Sequence, residues 1–191
     1  MTMVSPYASS ASRMPRWLLA AVAAVAISAI PLAAVLAQGP STASFTVAET
    51  GRGYASLQAA VDAIGSGEGT VVIASGNWRE CAVQREGVVH FRAAQPGSAL
   101  LGGMACEGKA ALVLRGRGAS VDGIVFADLA VEDGNGAGIR LEKGPLRVSQ
   151  SWFRDSQQGI LTTNGENSEL VVDKSTFTRL GTCEYSGGCA H

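Results

Sequence analysis

The chain carries little that points to nucleic acid. Its 15 basic and 16 acidic residues leave a formal net charge of −1, with no basic run and no interleaving of basic and aromatic residues. Helical periodicity is nearly absent: beyond an apolar N-terminal block, one short stretch shows it. Metal-ligating residues are scarce too. Cys183, Cys189 and His191 are close in sequence, but two cysteines and one histidine are too few for a zinc site. What the chain has instead is glycine, 24 residues in 191, mostly between apolar runs, where turns need it.

Those apolar runs repeat. Val121-Asp122-Gly123-Ile124-Val125-Phe126, Val148-Ser149-Gln150-Ser151-Trp152-Phe153 and Val172-Asp173-Lys174-Ser175-Thr176-Phe177 align without gaps. Their valines are 27 and 24 positions apart, and so are their phenylalanines. Each copy is preceded by a second alternating segment, at Leu112–Gly116, Ile139–Gly144 and Ile160–Gly165. A period in the twenties built from short alternating strands predicts a solenoid whose strands pair with their equivalents one coil away.

Residues 1–37 read as a secretory signal. They hold Arg13 and Arg16 but no acidic residue, then an apolar core from Trp17 to Ile30, Pro31, and the small residues of Val35-Leu36-Ala37. Cleavage is expected after Ala37, leaving a secreted or periplasmic chain. The alternative is an uncleaved membrane anchor, since the apolar stretch is nearly long enough to span a bilayer. Residues 38–44 form a linker, and residues 45–191 the solenoid.

Export would place the cysteines in an oxidising compartment. Cys81 and Cys106 lie 25 residues apart, about one coil, so we expect Cys81–Cys106 and Cys183–Cys189 disulfides. Between Ser56 and Gly65, Leu57, Ala60, Val61 and Ile64 follow the spacing of one helical face. Ser56 suits the N-cap and Gly65 the C-terminal end. This helix is expected to cap the first coil, hiding apolar side chains and strand edges.

The run from Tyr54 to Val83, containing Ser56-Leu57-Gln58-Ala59-Ala60-Val61-Asp62-Ala63-Ile64 and Gly69-Thr70-Val71-Val72-Ile73-Ala74-Ser75-Gly76-Asn77-Trp78-Arg79-Glu80, resembles the opening of right-handed parallel β-helix proteins of the pectin lyase-like superfamily. The Val-x-x-Ser-x-Phe lines are similar to that superfamily's coil repeat. The resemblance covers residues 45–191 and implies an all-β, right-handed parallel β-helix with a short N-terminal capping α-helix. It also implies a role on polysaccharides, as lyase, hydrolase, esterase, epimerase or non-catalytic surface protein. The catalytic signatures of its polygalacturonases and pectin esterases are absent, apart from a likeness of Gly76-Asn77-Trp78-Arg79-Glu80 to an esterase element, expected here to serve packing. Calcium is implied by the resemblance alone; the sequence shows no dense carboxylate cluster.

The alignment predicts which side chains share a face. Ile139 and Leu141 point inward, so Arg140 and Glu142 point out. Arg115, Glu142 and Thr163 then form a column, readable either as a solvated ladder or as the edge of a groove where arginine grips a uronate carboxylate. Asp128, Asp155 and Arg179 form a second column, and Asp122, Ser149 and Asp173 a third. Stacked aspartates at turns are expected to hold backbone N–H groups. Ser151 and Ser175 share a repeat position and read as structural. His90 reads as an ordinary strand histidine. His191 falls where a further coil would begin, which suggests that the β-helix is incomplete at the C-terminus. The candidate groove is therefore Arg115, Arg140, Glu142, Asp155 and His191, and the expected partner a polysaccharide or cell-envelope glycan. The alternative is a non-catalytic scaffold.

Overall fold

The computed structural model describes residues 43–165 and 167–181. The expected signal segment, the Cys183–Cys189 pair and His191 lie outside the described residues.

The chain begins with a hairpin of β1 (Phe45–Val47) and β2 (Arg52–Tyr54), followed by α1 (Leu57–Ile64). It then winds through coils of three strands. The first coil is β3 (Glu68–Ile73), β4 (Gly76–Trp78) and β5 (Ala82–Gln84). The second is β6 (Val88–Ala93), β7 (Ala99–Gly102) and β8 (Ala110–Leu114). The third is β9 (Gly118–Asp122), β10 (Ile124–Ala127) and β11 (Ala137–Leu141). The fourth is β12 (Leu146–Ser149), β13 (Trp152–Ser156) and β14 (Gln158–Thr162), and the last described turn holds β15 (Leu170–Asp173) and β16 (Thr176–Leu180). Every third strand pairs in parallel, giving three sheets: β3-β6-β9-β12-β15, β4-β7-β10-β13-β16 and β5-β8-β11-β14. This is a right-handed parallel β-helix. Gly76–Gln84 contains two strands of three residues.

The repeat alignment is the structural register. Val121, Val148 and Val172 are paired in turn, and so are Phe126, Phe153 and Phe177. The three phenyl rings stack face to face, with centroids 4.9 and 4.8 Å apart and 7° between planes. Room for two of them comes from glycine. A Cβ at Gly138 would lie 2.7 Å from the Phe153 ring, and one at Gly159 would lie 2.8 Å from the Phe177 ring. Apolar residues from all three sheets, Phe91, Leu101, Leu112, Ile124 and Ile139 among them, fill the rest of the interior.

The bends between sheets also stack. Gly103, Asp128, Asp155 and Arg179 all have positive φ, from 49° to 66°. Gly123, Gln150 and Lys174 do likewise at another corner. Left-handed backbone at each corner turns the chain from one sheet into the next, and aspartate tolerates it better than most residues. That is a backbone reason for the stacked aspartates.

The first coil is closed as expected of a cap, with more parts. The β1 strand pairs antiparallel with β3 and covers that sheet's edge. Leu57, Ala60 and Val61 of α1 are buried over the core, and the Ser56 hydroxyl accepts from Ala59 N. Gln58 acts as a substitute strand for β5, donating to Val83 O at 3.1 Å and accepting from Val83 N at 2.8 Å. Glu80 accepts from Leu57 N, and Trp78 donates to Ala74 O and packs its ring on Phe45, so Gly76–Glu80 packs against the cap. At the other end, Leu170, Val172 and Phe177 are exposed on the last described turn.

Cys81 and Cys106 form a disulfide with Cα atoms 5.5 Å apart. It ties the loop before β8 to the first coil, over a patch of Val83, Ala110, Val113 and Ala137.

Two stability measurements test this account. Phe153→Ala removes the middle ring of the stack and should cost about 3–5 kcal/mol by chemical denaturation. Reducing Cys81–Cys106 frees a loop of 25 residues and should cost about 3 kcal/mol. A Phe153→Ala loss no larger than that of a surface substitution would show that the stack is not central.

Candidate functional site

On the outside of the β5-β8-β11-β14 sheet, Arg115 and Glu142 meet as expected. Arg115 Nε donates to Glu142 Oε2 at 2.5 Å, Lys109 Nζ reaches Glu142 Oε1 at 2.8 Å, and the Thr163 hydroxyl donates to Glu142 O. The far end of the Arg115 fork is also filled: Nη1 donates to Glu107 Oε1 at 2.9 Å and Nη2 to Glu107 Oε2. Glu107 comes from the disulfide-tethered loop, which the repeat alignment did not include. Arg140 stands apart from this network, paired in register with Val113 and Leu161. Its Nε is buried without a partner among the described residues.

Charge pairing shifts these groups in the expected directions. The Arg115 hydrogen bonds hold the Glu107 carboxyl down from 4.5 to about 2. Burial opposes ionisation of Glu142, but hydrogen bonds from Arg115 and Lys109 outweigh it and keep its carboxyl below the usual range. Arg115 is held above its ordinary value by Glu107 first and Glu142 second.

Asp155 lies at a corner of a different sheet and is not brought to the Arg115 cluster. It accepts from Arg179, with Nη2 at 2.8 Å, and from Arg154 Nη1 at 2.6 Å. These bonds, Arg179's first, hold its carboxyl below the usual range. The third column is also bonded between coils, the Ser149 hydroxyl donating to Asp122 Oδ1 at 2.6 Å and Gln150 Nε2 to the same oxygen at 3.2 Å. The backbone-capping role expected of these stacked aspartates is therefore not how they are used. That turn occurs at Asp133, which accepts from Asn135 N. Ser151 and Ser175 bridge neighbouring coils by accepting from Ile124 N and Ser151 N.

The third face holds an arrangement that the sequence reading missed. Along the outside of the β3-β6-β9-β12-β15 sheet, Thr70, His90, Ser120, Arg147 and Val171 stand in one register column. His90 Nδ1 lies 2.8 Å from Ser120 Oγ, and His90 Nε2 lies 3.2 Å from Glu68 Oε1. His90, Ser120, Arg147 and Val171 border a groove of about 440 Å³, lined also by Arg117, Pro145 and Glu169. Arg117 donates to Ser66 O at 2.9 Å. Among the described residues, neither Arg117 nor Arg147 forms an ion pair. The sequence reads His90 as an ordinary strand histidine, without Ser120 beside it, because the step from Phe91 to Val121 is 30 residues. The loop before β8 lengthens that coil and hides its alignment. Extending the Val121 column back to Phe91 would have set His90 beside Ser120.

Among the described residues no three histidine, cysteine, aspartate or glutamate side chains converge as metal ligands, so the calcium implied by resemblance has no fitting donor set there. No helix among them is long and apolar enough to cross a membrane. Compared with known protein families, curated proteins and solved structures, the chain matches none.

The Glu107 shift makes a pH prediction. A carboxyl whose value falls on folding adds stability above its unfolded value, and that stability is lost as pH drops through the folded one. For Glu107 the window runs from 4.5 down to about 2. The melting temperature should fall across it, and Glu107→Gln should flatten that fall. An unchanged slope in the variant would remove this network from the stability of the coil.

Proposed function

We propose that the groove over the β3-β6-β9-β12-β15 sheet binds an acidic polysaccharide. The observation that carries this reading is the pair of arginines, Arg117 and Arg147, that line a concave groove without a carboxylate partner. Guanidinium forks match carboxylates in two parallel hydrogen bonds; the Arg147 fork is free to do so, whereas Arg117 spends one nitrogen on Ser66 O. Arg115, Arg154 and Arg179 have carboxylate partners already. The expected uronate site thus moves from the Arg115 face to the His90 face. A groove running across successive coils suits a linear polymer, because register positions recur at each strand spacing of about 4.8 Å.

Membership in the pectin lyase-like superfamily is part of this proposal. Its support is the Tyr54–Val83 opening together with the β-helix architecture. An N-terminal secretory signal would deliver such a protein to the cell envelope or the exterior, where acidic glycans occur. A non-catalytic scaffold is the second reading, favoured by the internally paired charges on the other two faces.

Binding of a polyuronate and of a neutral glucan by titration calorimetry tests the proposal. The polyuronate should bind, more weakly as salt rises, and the neutral glucan should not. Arg147→Ala should weaken binding about tenfold or more, the loss of a hydrogen bond to a charged group. Arg115→Ala, on another face, should leave it unchanged. Equal affinity for neutral and acidic polymers, or no binding of either, would overturn the reading.

A further inference from the structure

An imidazole and a hydroxyl line the same groove, and an acid stands beside the imidazole. Glu68 is on β3, His90 on β6, Ser120 on β9 and Arg147 on β12, so four successive coils each supply one group. His90 and Ser120 are direct register partners, as are Ser120 and Arg147. Glu68 reaches His90 diagonally, from two residues before the register partner Thr70.

The hydrogen bonds assign roles. Glu68 is a carboxylate and can only accept, so it takes a proton-bearing Nε2 from His90. In the neutral imidazole that leaves Nδ1 with its lone pair toward Ser120 Oγ at 2.8 Å. A neutral imidazole oriented in this way is a general base placed on a hydroxyl. The acid–histidine–serine relation is recognised by geometry and roles, not by chain order or fold. Ser120 also borders open space, since it and His90 both line the groove. Arg147, beside Ser120 in register, lines the same groove and carries a positive charge on the next coil.

We propose that Ser120 is the nucleophile of an ester-hydrolysing site, with His90 as general base, Glu68 as its orienting acid and Arg147 as the oxyanion's counter-charge. The substrate class is an acyl ester carried by the acidic polymer; that part rests on the groove reading above, whereas the serine chemistry does not. Ser120 Oγ bonds to the ester carbonyl carbon as its proton passes to His90 Nδ1. The bond from that carbon to the alcohol oxygen then breaks, and His90 gives the proton to the leaving alcohol. Water next attacks the acyl-Ser120 carbon and gives a proton to His90, which returns it to Ser120 as the acid departs. The net reaction is ester plus water to acid plus alcohol, with nothing oxidised or reduced.

The test treats the folded chain with a fluorophosphonate, a probe of activated serines, and maps the adduct by mass spectrometry. p-Nitrophenyl acetate hydrolysis is followed in parallel. Labelling is expected at Ser120 and lost in Ser120→Ala. His90→Ala should slow both labelling and hydrolysis by about 10²-fold or more, with its circular dichroism spectrum unchanged. Glu68→Gln should slow them as well. Absence of label at Ser120 in the wild type, or labelling at the same rate in His90→Ala, would overturn the proposal. Should His90→Ala unfold, Glu68→Gln decides by the same rate comparison. Polyuronate binding is measured on the wild type in parallel, and Arg115→Ala, on another face, should leave both labelling and binding unchanged. Polyuronate binding without Ser120 chemistry would therefore sink the esterase alone, and labelling without binding would sink the polysaccharide reading alone.

Discussion

Everything in this protein depends on vertical registry. Each strand must present, one strand spacing away, a residue that fits the one below it. The stacked rings of Phe126, Phe153 and Phe177 show the constraint in its strictest form, with centroids under 5 Å apart and planes nearly parallel. An offset of one residue would turn every inward side chain outward. Gly138 and Gly159 are constrained by the same rings, because any side chain there would meet a phenyl edge.

Registry acts on the outside as well. A polar residue facing solvent on one coil faces its equivalents above and below at the same spacing. Like charges in such a column would repel, and on two of the three faces carboxylates are paired with basic groups instead. Glu142 sits between Arg115 and Lys109, and Asp155 between Arg154 and Arg179. These arginines are held by their carboxylates, which leaves them little capacity for a ligand. The third face differs because its column is Thr70, His90, Ser120, Arg147 and Val171, with no carboxylate within it. Functional capacity on a solenoid lies where a column is left incompletely neutralised.

The ends of the coil stack pose a separate problem, because edges and apolar interiors are open there. The first coil meets it with three devices: a strand reversed in direction, a helix over the core, and the Gln58 amide completing the hydrogen bonds of β5. The helix was legible from its apolar spacing and its Ser56 cap. The Gln58 contact was not, since a glutamine on a helix carries no sign of which carbonyl it will meet.

The sequence by itself determined the β-helix, its cap helix, its coil register from Val121 onward and the Cys81–Cys106 link. Apolar periodicity and repeat spacing are written along the chain, and burial enforces them residue by residue. The Arg115–Glu142 contact follows from the same register, but tertiary structure decided the other pairings and which charges remain open. Glu107 reaches Arg115 from a loop that breaks the repeat, and His90 meets Ser120 across a coil lengthened by that same loop. Both contacts join residues whose separation departs from the period. The repeat does not reach Glu107, and it reaches His90 only when the Val121 column is carried back across the longer coil to Phe91.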